Sequence, residues 1–329
     1  MNEGRIDLSI LVSILCMTYN HELYIEDAIE GFLQQKTNYD VEIIIGEDCS
    51  TDNTRKIVKK YMNEYPGKIK MITSDHNVGM NKNAQRLIES SRGKYIAICE
   101  GDDYWTDPFK LQKQIDYMEE HPECSLCFHA AEIVINKEKQ TGNLVRPYNN
   151  NKICPTEDII LGGGGFCPTA SLLFPRRIIE HLPAFFQKAH VGDYPLQMWA
   201  ACQGYAYYMD EIMAAYRIGN QSSWTNQLIR EGDLKEKLIK VKMGDIQLLK
   251  EFNRTTDNKY NPVIEETILK REFEILLLQH NLRKLKTTKY KILYTQLTTI
   301  EKLKLLTKFY FPRAYRAMVG MKKIMYRNN

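Results

Sequence analysis

Two rhythms of apolar residues alternate through the first 135 positions. Runs rich in β-branched side chains near 10–18, 41–47, 69–73, 94–99 and 124–135 have strand length, and the stretches between them carry apolar residues at helical spacing. Such alternation predicts βαβ units and a mainly parallel central sheet flanked by helices, an α/β fold. The punctuation agrees: Glu47-Asp48-Cys-Ser50-Thr-Asp-Asn-Thr54 is a polar turn rich in helix-capping residues, and Asp107-Pro108 sets a helix start. From 143 to 169 the chain reads as loop, with Asn149-Asn-Asn151, Pro155, Pro168 and four glycines at 162–165. Positions 193–204 read as an amphipathic helix ended by glycine, and 205–208 as strand. Beyond about 226 the strand rhythm stops, and 234–252, 264–285 and 293–310 show helical spacing alone. The pattern predicts an α/β domain over 1–225 and an all-helical C-terminal extension over 226–329.

Charge sharpens that division. The net charge of +4 hides a tail, 281–329, with thirteen Lys or Arg and one acid, Glu301, so that it carries +12 and the first 280 residues −8. Within the tail, cations are mixed with aliphatic and aromatic residues over 302–313 and 321–327, the composition of an interfacial helix drawn to an anionic membrane surface. A solvated bundle or a homodimerisation element has the same pattern. No nucleic-acid partner is expected, because no recognised binding module accompanies the charge. Eight scattered cysteines, many in apolar runs, read as reduced, buried thiols of a cytoplasmic protein. Cys124 and Cys127 are the one close pair, but a strand would point them to opposite faces and no second pair follows, which argues against zinc. The apolar run 8–17 is too short to span a bilayer and lacks a cleavage site, so it reads as a first strand.

The chemistry gathers at Glu100-Gly-Asp-Asp103, where an apolar strand ends abruptly in three acids. Crowded carboxylates repel one another unless protons or a cation intervene, and in open α/β sheets ligands sit beyond the carboxyl ends of strands. Oxygen-only ligands suit Mg²⁺ or Mn²⁺, which commonly reach a protein through one or two carboxylates plus substrate phosphates. The competing reading is that Asp102 and Asp103 open a turn and cap the helix beginning near Pro108.

The remaining motifs weigh against that alternative. Val12-Ser-Ile-Leu-Cys-Met-Thr-Tyr-Asn-His21, Glu47-Asp-Cys-Ser-Thr-Asp52, Asn77-Val-Gly79 with Asn83, and Glu100-Gly-Asp-Asp103 occur in the order and spacing of family 2 nucleotide-sugar glycosyltransferases. Pro168-Thr-Ala-Ser171, Gly192-Asp193 and Tyr216-Arg217 fall where that family has acceptor-side motifs, so the chain resembles it over roughly 8–224. The resemblance implies a GT-A fold, a nucleoside diphosphate sugar donor, by analogy UDP-linked, and inversion at the anomeric carbon. It implies that Thr18, Tyr19, Asn20 and Glu22 line the nucleoside pocket, that Glu47 or Asp48 accepts a hydrogen bond from the base, and that Asn77, Gly79 and Asn83 lie beside the pyrophosphate. Asp102, then Asp103, would hold Mn²⁺ or Mg²⁺, with Glu100 either on the donor ribose or supporting a ligand. Asp193 would be the general base that takes the acceptor hydroxyl's proton. Read alone, Asp193 before Tyr194-Pro195 is also a helix cap.

The chain departs from the family twice. Where a histidine often follows the Tyr-Arg pair, Ile218-Gly219-Asn220-Gln221 stands, and the Gln-x-x-Arg-Trp of processive synthases is replaced by Gln221-Ser-Ser-Trp224. The expectation is therefore a non-processive transferase acting on a glycan or lipid-linked acceptor in surface polysaccharide assembly, cytoplasmic and at the inner face of the membrane. Two rival readings are a nucleotidyltransferase, which would release pyrophosphate, and an inactive sugar-nucleotide-binding or scaffold protein. Trp105, Trp199 and Trp224 are candidates to stack on sugar rings, Trp105 first because it adjoins the acids.

Overall fold

The structure, a computed structural model, describes residues 10–135, 139–219 and 234–311. The chain divides into two compact units, 1–230 and 231–329. In the first, β1 (Ile10–Thr18), β2 (Asp40–Glu47), β3 (Ile69–Thr73) and β4 (Tyr95–Ile98) form the parallel half of one ten-stranded sheet. The helices α1 (Ile25–Leu33), α2 (Thr54–Glu64) and α3 (Met80–Ser90) connect these strands in turn. β1 lies between β2 and β4, so the strand order reverses there, and the ends of β1 and β4 open side by side into the crevice where such sheets bind ligands.

Periodicity explains the local structure. Ile43, Ile44 and Ile45 in β2 are all buried, as a strand covered on both faces requires. In α1 the buried residues Ile25, Ala28, Ile29 and Phe32 recur at helical spacing, each large one contributing about 1.5–3 kcal/mol of burial. Gly31 of α1 lets β5 (Tyr104–Trp105) pass against it: a Cβ there would lie 2.9 Å from the Trp105 carbonyl oxygen.

The second half of the sheet is mixed. After α4 (Lys110–Glu120) come β6 (Cys124–Ile135), β7 (Lys139–Val145), β8 (Lys152–Cys154), α5 (Thr156–Gly162), β9 (Leu173–Pro175), α6 (Arg177–Glu180), α7 (Asp193–Cys202) and β10 (Tyr205–Ile218). The order across the sheet is β3-β2-β1-β4-β9-β6-β10-β5, with β7 on β6 and β8 on β10. β6 and β10 run parallel to each other, while β9 is antiparallel to both β4 and β6. The segment read as loop over 143–169 thus holds the end of β7, β8 and α5. The strand read over 205–208 continues to Ile218.

The second unit is helical where described. α8 (Leu234–Thr255) and α9 (Asn261–Leu278) form an antiparallel hairpin, as the ion pairs Lys242–Glu274 (2.5 Å) and Arg271–Asp245 (3.1 Å) show. Asp257 and Asn258 take left-handed conformations in the turn, residue types that tolerate it, and Pro262 sits in the first turn of α9. Three shorter helices follow: α10 (Leu282–Leu285), α11 (Lys291–Gln296) and α12 (Thr299–Tyr310).

Candidate functional site

The loops leaving β1 and β2 are stitched together by the polar residues that the sequence places there. Asn20, in a left-handed conformation, accepts at Oδ1 from the Thr51 amide (2.8 Å), and its own amide donates to Ser50 Oγ (3.0 Å). The Glu22 carboxylate accepts from the Asn53 amide (2.9 Å) and side chain (2.8 Å). Glu47, fully buried, accepts from the Ser50 amide (2.6 Å), Thr73 Oγ1 (3.1 Å) and Arg55 Nε. These bonds to the charged form outweigh burial and hold its carboxyl below the usual range. Asp48 accepts from the amides of Val78 (2.8 Å) and Gly79 (2.9 Å), while Asn77 Nδ2 donates to the Asp48 carbonyl (3.1 Å). Gly79 has φ +86° and precedes α3. Asn83 is buried and donates to the Gly46 carbonyl (2.7 Å), pinning α3 to β2. Thr18 is buried beneath the next loop, and Tyr19 is half-buried beside it.

That next loop carries the acids. The Gly101 amide donates to the Met17 carbonyl (2.8 Å), and a Cβ at Gly101 would lie 2.7 Å from Thr18 Oγ1, so only glycine lets the β4 loop cross the end of β1 this closely. Asp103 is buried; its Oδ1 accepts from the Arg217 amide (2.7 Å), and its Oδ2 has no hydrogen-bond partner. The Arg217 guanidinium, at the end of β10, is buried too. It donates to the Asp102 carbonyl (2.7 Å) and Asp27 Oδ2 (2.8 Å) and lies over the rings of Tyr24 and Tyr104 at 4.6 and 5.1 Å.

The carboxylates of the cluster oppose one another. Burial and the charges of Asp102 and Asp193 push the Glu100 carboxyl up to about 8, and burial with Asp102 and Glu100 pushes Asp103 well above the carboxylate range. His21 Nε2 is 3.9 Å from Asp102, but burial lowers its pKa, so it is a poor source of counter-charge. Among the described residues no group of three or more His, Cys, Asp or Glu is arranged to hold a metal by itself. A divalent cation ligated by one or two carboxylates and completed by phosphate oxygens needs no such group, and the unpartnered Asp103 oxygen among raised carboxyls fits it.

Asp193 opens α7 on the other side. Gly192 is the cap position, and Asp193 Oδ1 accepts from the adjacent Tyr194 amide (2.7 Å). Gly164 passes directly against this carboxylate: a Cβ there would lie 3.3 and 3.4 Å from its two oxygens. Gln197, fully buried one turn along α7, donates to the carbonyls of Gly164 and Cys167, both at 3.0 Å, and so holds the glycine loop in place. The Tyr216 phenol, pushed up to about 12 by burial, also feels Asp103, Glu100, Asp102 and Asp193, so all four carboxylates act on one neighbourhood.

Of the three tryptophans, Trp105 differs from expectation. Trp105 is in the core: its indole N–H donates to the Ala170 carbonyl (2.8 Å), its ring meets Phe32 edge-on, and the Lys110 ammonium lies 4.1 Å above its face. It cannot stack on a sugar, because strand alternation in β5 sends Trp105 inward where Tyr104 meets Arg217. Trp199 is half-buried and donates to the Ile178 carbonyl (3.2 Å), and Trp224 lies outside the described residues, as do Asn220 and Gln221. The helix after Pro108 is led in by Asp107, which accepts from the Phe109 amide (2.7 Å), so Asp102 and Asp103 do not serve as its cap. Sequence reading missed Asp27, Gln197 and the clasp made by Arg217, and a loose amphipathic pattern and a strand-end motif were the only signals.

A sheet whose strand order reverses between β1 and β4, with acids at the end of β4, has the GT-A architecture. The chain belongs to glycosyl transferase family 2, whose model matches residues 13–182. The uncharacterised protein Rv1520 of Mycobacterium tuberculosis is 33% identical over 214 residues, 65% of this chain, and the chain spans 60% of that relative's length. The putative teichuronic acid biosynthesis glycosyltransferase TuaG of Bacillus subtilis is 35% identical over 118 residues, covering 36% of this chain and 45% of TuaG. Two solved structures share the fold at 15% identity. The mannosyltransferase PcManGT of Pyrobaculum calidifontis, in complex with GDP-Man and Mn²⁺, has a TM-score of 0.58 over 98% of this chain and 88% of its own. TarS 1–349 of S. aureus, in complex with UDP, has 0.56 over 89% and 77%.

Proposed function

We propose that the chain transfers one sugar per encounter from a nucleoside diphosphate sugar to a hydroxyl of a glycan or lipid-linked acceptor, with inversion, in surface polysaccharide assembly. The observation that carries this reading is the placement of Asp193 close enough to the Glu100-Gly-Asp-Asp103 loop for its charge to act on Glu100. The name of TuaG and the UDP and GDP-Man complexes of the structural neighbours support the substrate class. Eight free cysteines, mostly buried, suit a reducing compartment, and no described helix is long and apolar enough to cross a membrane.

In this reading Asp102 and Asp103 would hold Mn²⁺ or Mg²⁺ against the diphosphate. When bound, the metal supplies Lewis-acid stabilisation of the leaving group. Asp193 accepts the acceptor hydroxyl's proton as that oxygen attacks the anomeric carbon from the face opposite the diphosphate. Arg217 and Gly101 keep the acid loop over the end of β1, and Gln197 keeps Gly164 against the base. Thr18, Tyr19, Asn20 and Glu22, with Asp48, Asn77 and Gly79, form the donor side. There, Glu47 and Asn83 act by fixing β2 and α3.

Titration calorimetry of UDP, GDP and dTDP, each with Mn²⁺ or with EDTA, tests the donor site. One nucleotide is expected to bind tightly with metal and to lose that dependence in Asp103→Ala. Asp193→Asn is expected to bind it unchanged while transfer falls by about 10²–10⁴-fold. Absence of binding by all three nucleotides defeats the donor assignment, and release of pyrophosphate during turnover defeats the transferase.

A further inference from the structure

The helix α12 is apolar on two sides. Leu305 faces inward and packs in a cluster with Phe273, Leu276 and Leu285. Away from it Ile300, Leu303 and Tyr310 recur at helical spacing, and Phe311 follows at the helix end; these four are 60–66% exposed. Ile292, on α11, is 73% exposed. An ordinary soluble helix carries polar residues along its outward face, so an aliphatic and aromatic stripe there calls for a cover.

The charges around the stripe select the cover. Over 281–311 there are eight Lys or Arg and one acid, Glu301. That acid is engaged in its own capping box, accepting from the Thr298 amide and hydroxyl, both at 2.8 Å. Exposed cations directly flank the exposed apolar residues: Lys291 precedes Ile292, and Lys304 follows Leu303. A second copy of the chain, related by a twofold axis, would set two faces of the same positive sign together, which costs association. A bilayer with anionic headgroups offers both halves of the complement, hydrocarbon for the stripe and negative charge for the lysines.

We propose that Ile300, Leu303 and Tyr310 on α12 and Phe311 just past its end, with Ile292 on α11 and the adjoining Lys304 and Lys291, form a docking face for an anionic lipid surface. The face lies within the helical unit and is independent of the donor chemistry, so a failed nucleotide titration leaves it standing. The test is co-sedimentation of the full chain with vesicles of phosphatidylcholine alone and of phosphatidylcholine mixed with phosphatidylglycerol. Binding is expected to the mixed vesicles only and to weaken with salt. Leu303→Asp is expected to reduce partitioning about tenfold or more. In case that variant unfolds, Lys291→Glu with Lys304→Glu, both at exposed positions, is expected to give a similar loss with an unchanged melting curve. No binding to mixed vesicles, equal binding to neutral ones, or charge variants that bind like the parent protein would overturn the proposal. So would a concentration-dependent dimer in analytical ultracentrifugation that Leu303→Asp dissociates.

Discussion

Lys110 shows how one side chain can oppose the fold that contains it. It is fully buried, its ammonium bonded to Gln114 Oε1 (2.7 Å) and lying over Trp105, and burial pushes its pKa from 10.5 down to about 7. Between about pH 7 and 10.5 the unfolded chain binds this proton and the folded chain does not, so its contribution to stability rises with pH across that window. Below pH 7 both states are protonated and the full cost of burying the charge remains. Lys110→Met is therefore expected to stabilise the protein at pH 7 by about 2–4 kcal/mol and to flatten the rise toward pH 10, measured by urea unfolding at several pH values. Gln197 is a buried polar group whose two amide donors are matched, while its Oε1 has no hydrogen-bond partner. Gln197→Leu leaves the carbonyls of Gly164 and Cys167 without it, and is expected to lower transfer with nucleotide affinity unchanged.

Among the elements, strand pattern gave β1 to β4 and β6 to within a residue and helices between them, because buried strands are continuous apolar runs, while the two-residue β5 went unread. β10 was legible only to Tyr208. Its next residues include the charged Asp210 and Glu211, and the register with β6 shifts between Met209 and Ile212 and again before Ala214. A bulge there puts the acids on the outside, where Arg146 and Lys113 pair with them, and the strand runs on to Arg217. β8, with three residues, was lost among the prolines and glycines of 143–169, and β9, equally short, went unread just beyond it. The helical reading of 264–285 and 293–310 ran across two stops, the left-handed His280 and the Thr298 capping box. For the site, the acids and Asp193 stood out as motifs, whereas Asp27 and Gln197 gain their roles only from tertiary contact. Gly101 links the two levels. Gly101→Ala pushes a methyl into Thr18 and is expected to cost about 1–3 kcal/mol and to weaken metal-dependent nucleotide binding, read by thermal melts and calorimetry.

At the scale of the molecule the two units have opposite chemistry, an acidic sheet domain and a basic set of helices. Hydrogen exchange separates them. With the nucleotide that binds and Mn²⁺, protection is expected to rise at 18–22, 47–54 and 100–103 while α8 and α9 stay unchanged. At a ligand concentration a hundredfold above Kd, the linkage adds about 2.7 kcal/mol to the sheet domain's stability. Increased protection confined to the helices would contradict the assignment of the site.

The clasp between Arg217 and the acid loop also sets an order of events during synthesis. The amide of Arg217 reaches Asp103 across 114 positions of chain, and its guanidinium reaches Asp27 across 190. A nascent polypeptide therefore displays Glu100, Asp102 and Asp103 long before it owns the residue that arranges them. Contacts of such span close late, after the loop entropy between them has been overcome. The ribosome thus releases a complete set of carboxylates first and a working geometry afterwards, and an abbreviated chain ending short of β10 carries the motif without the site.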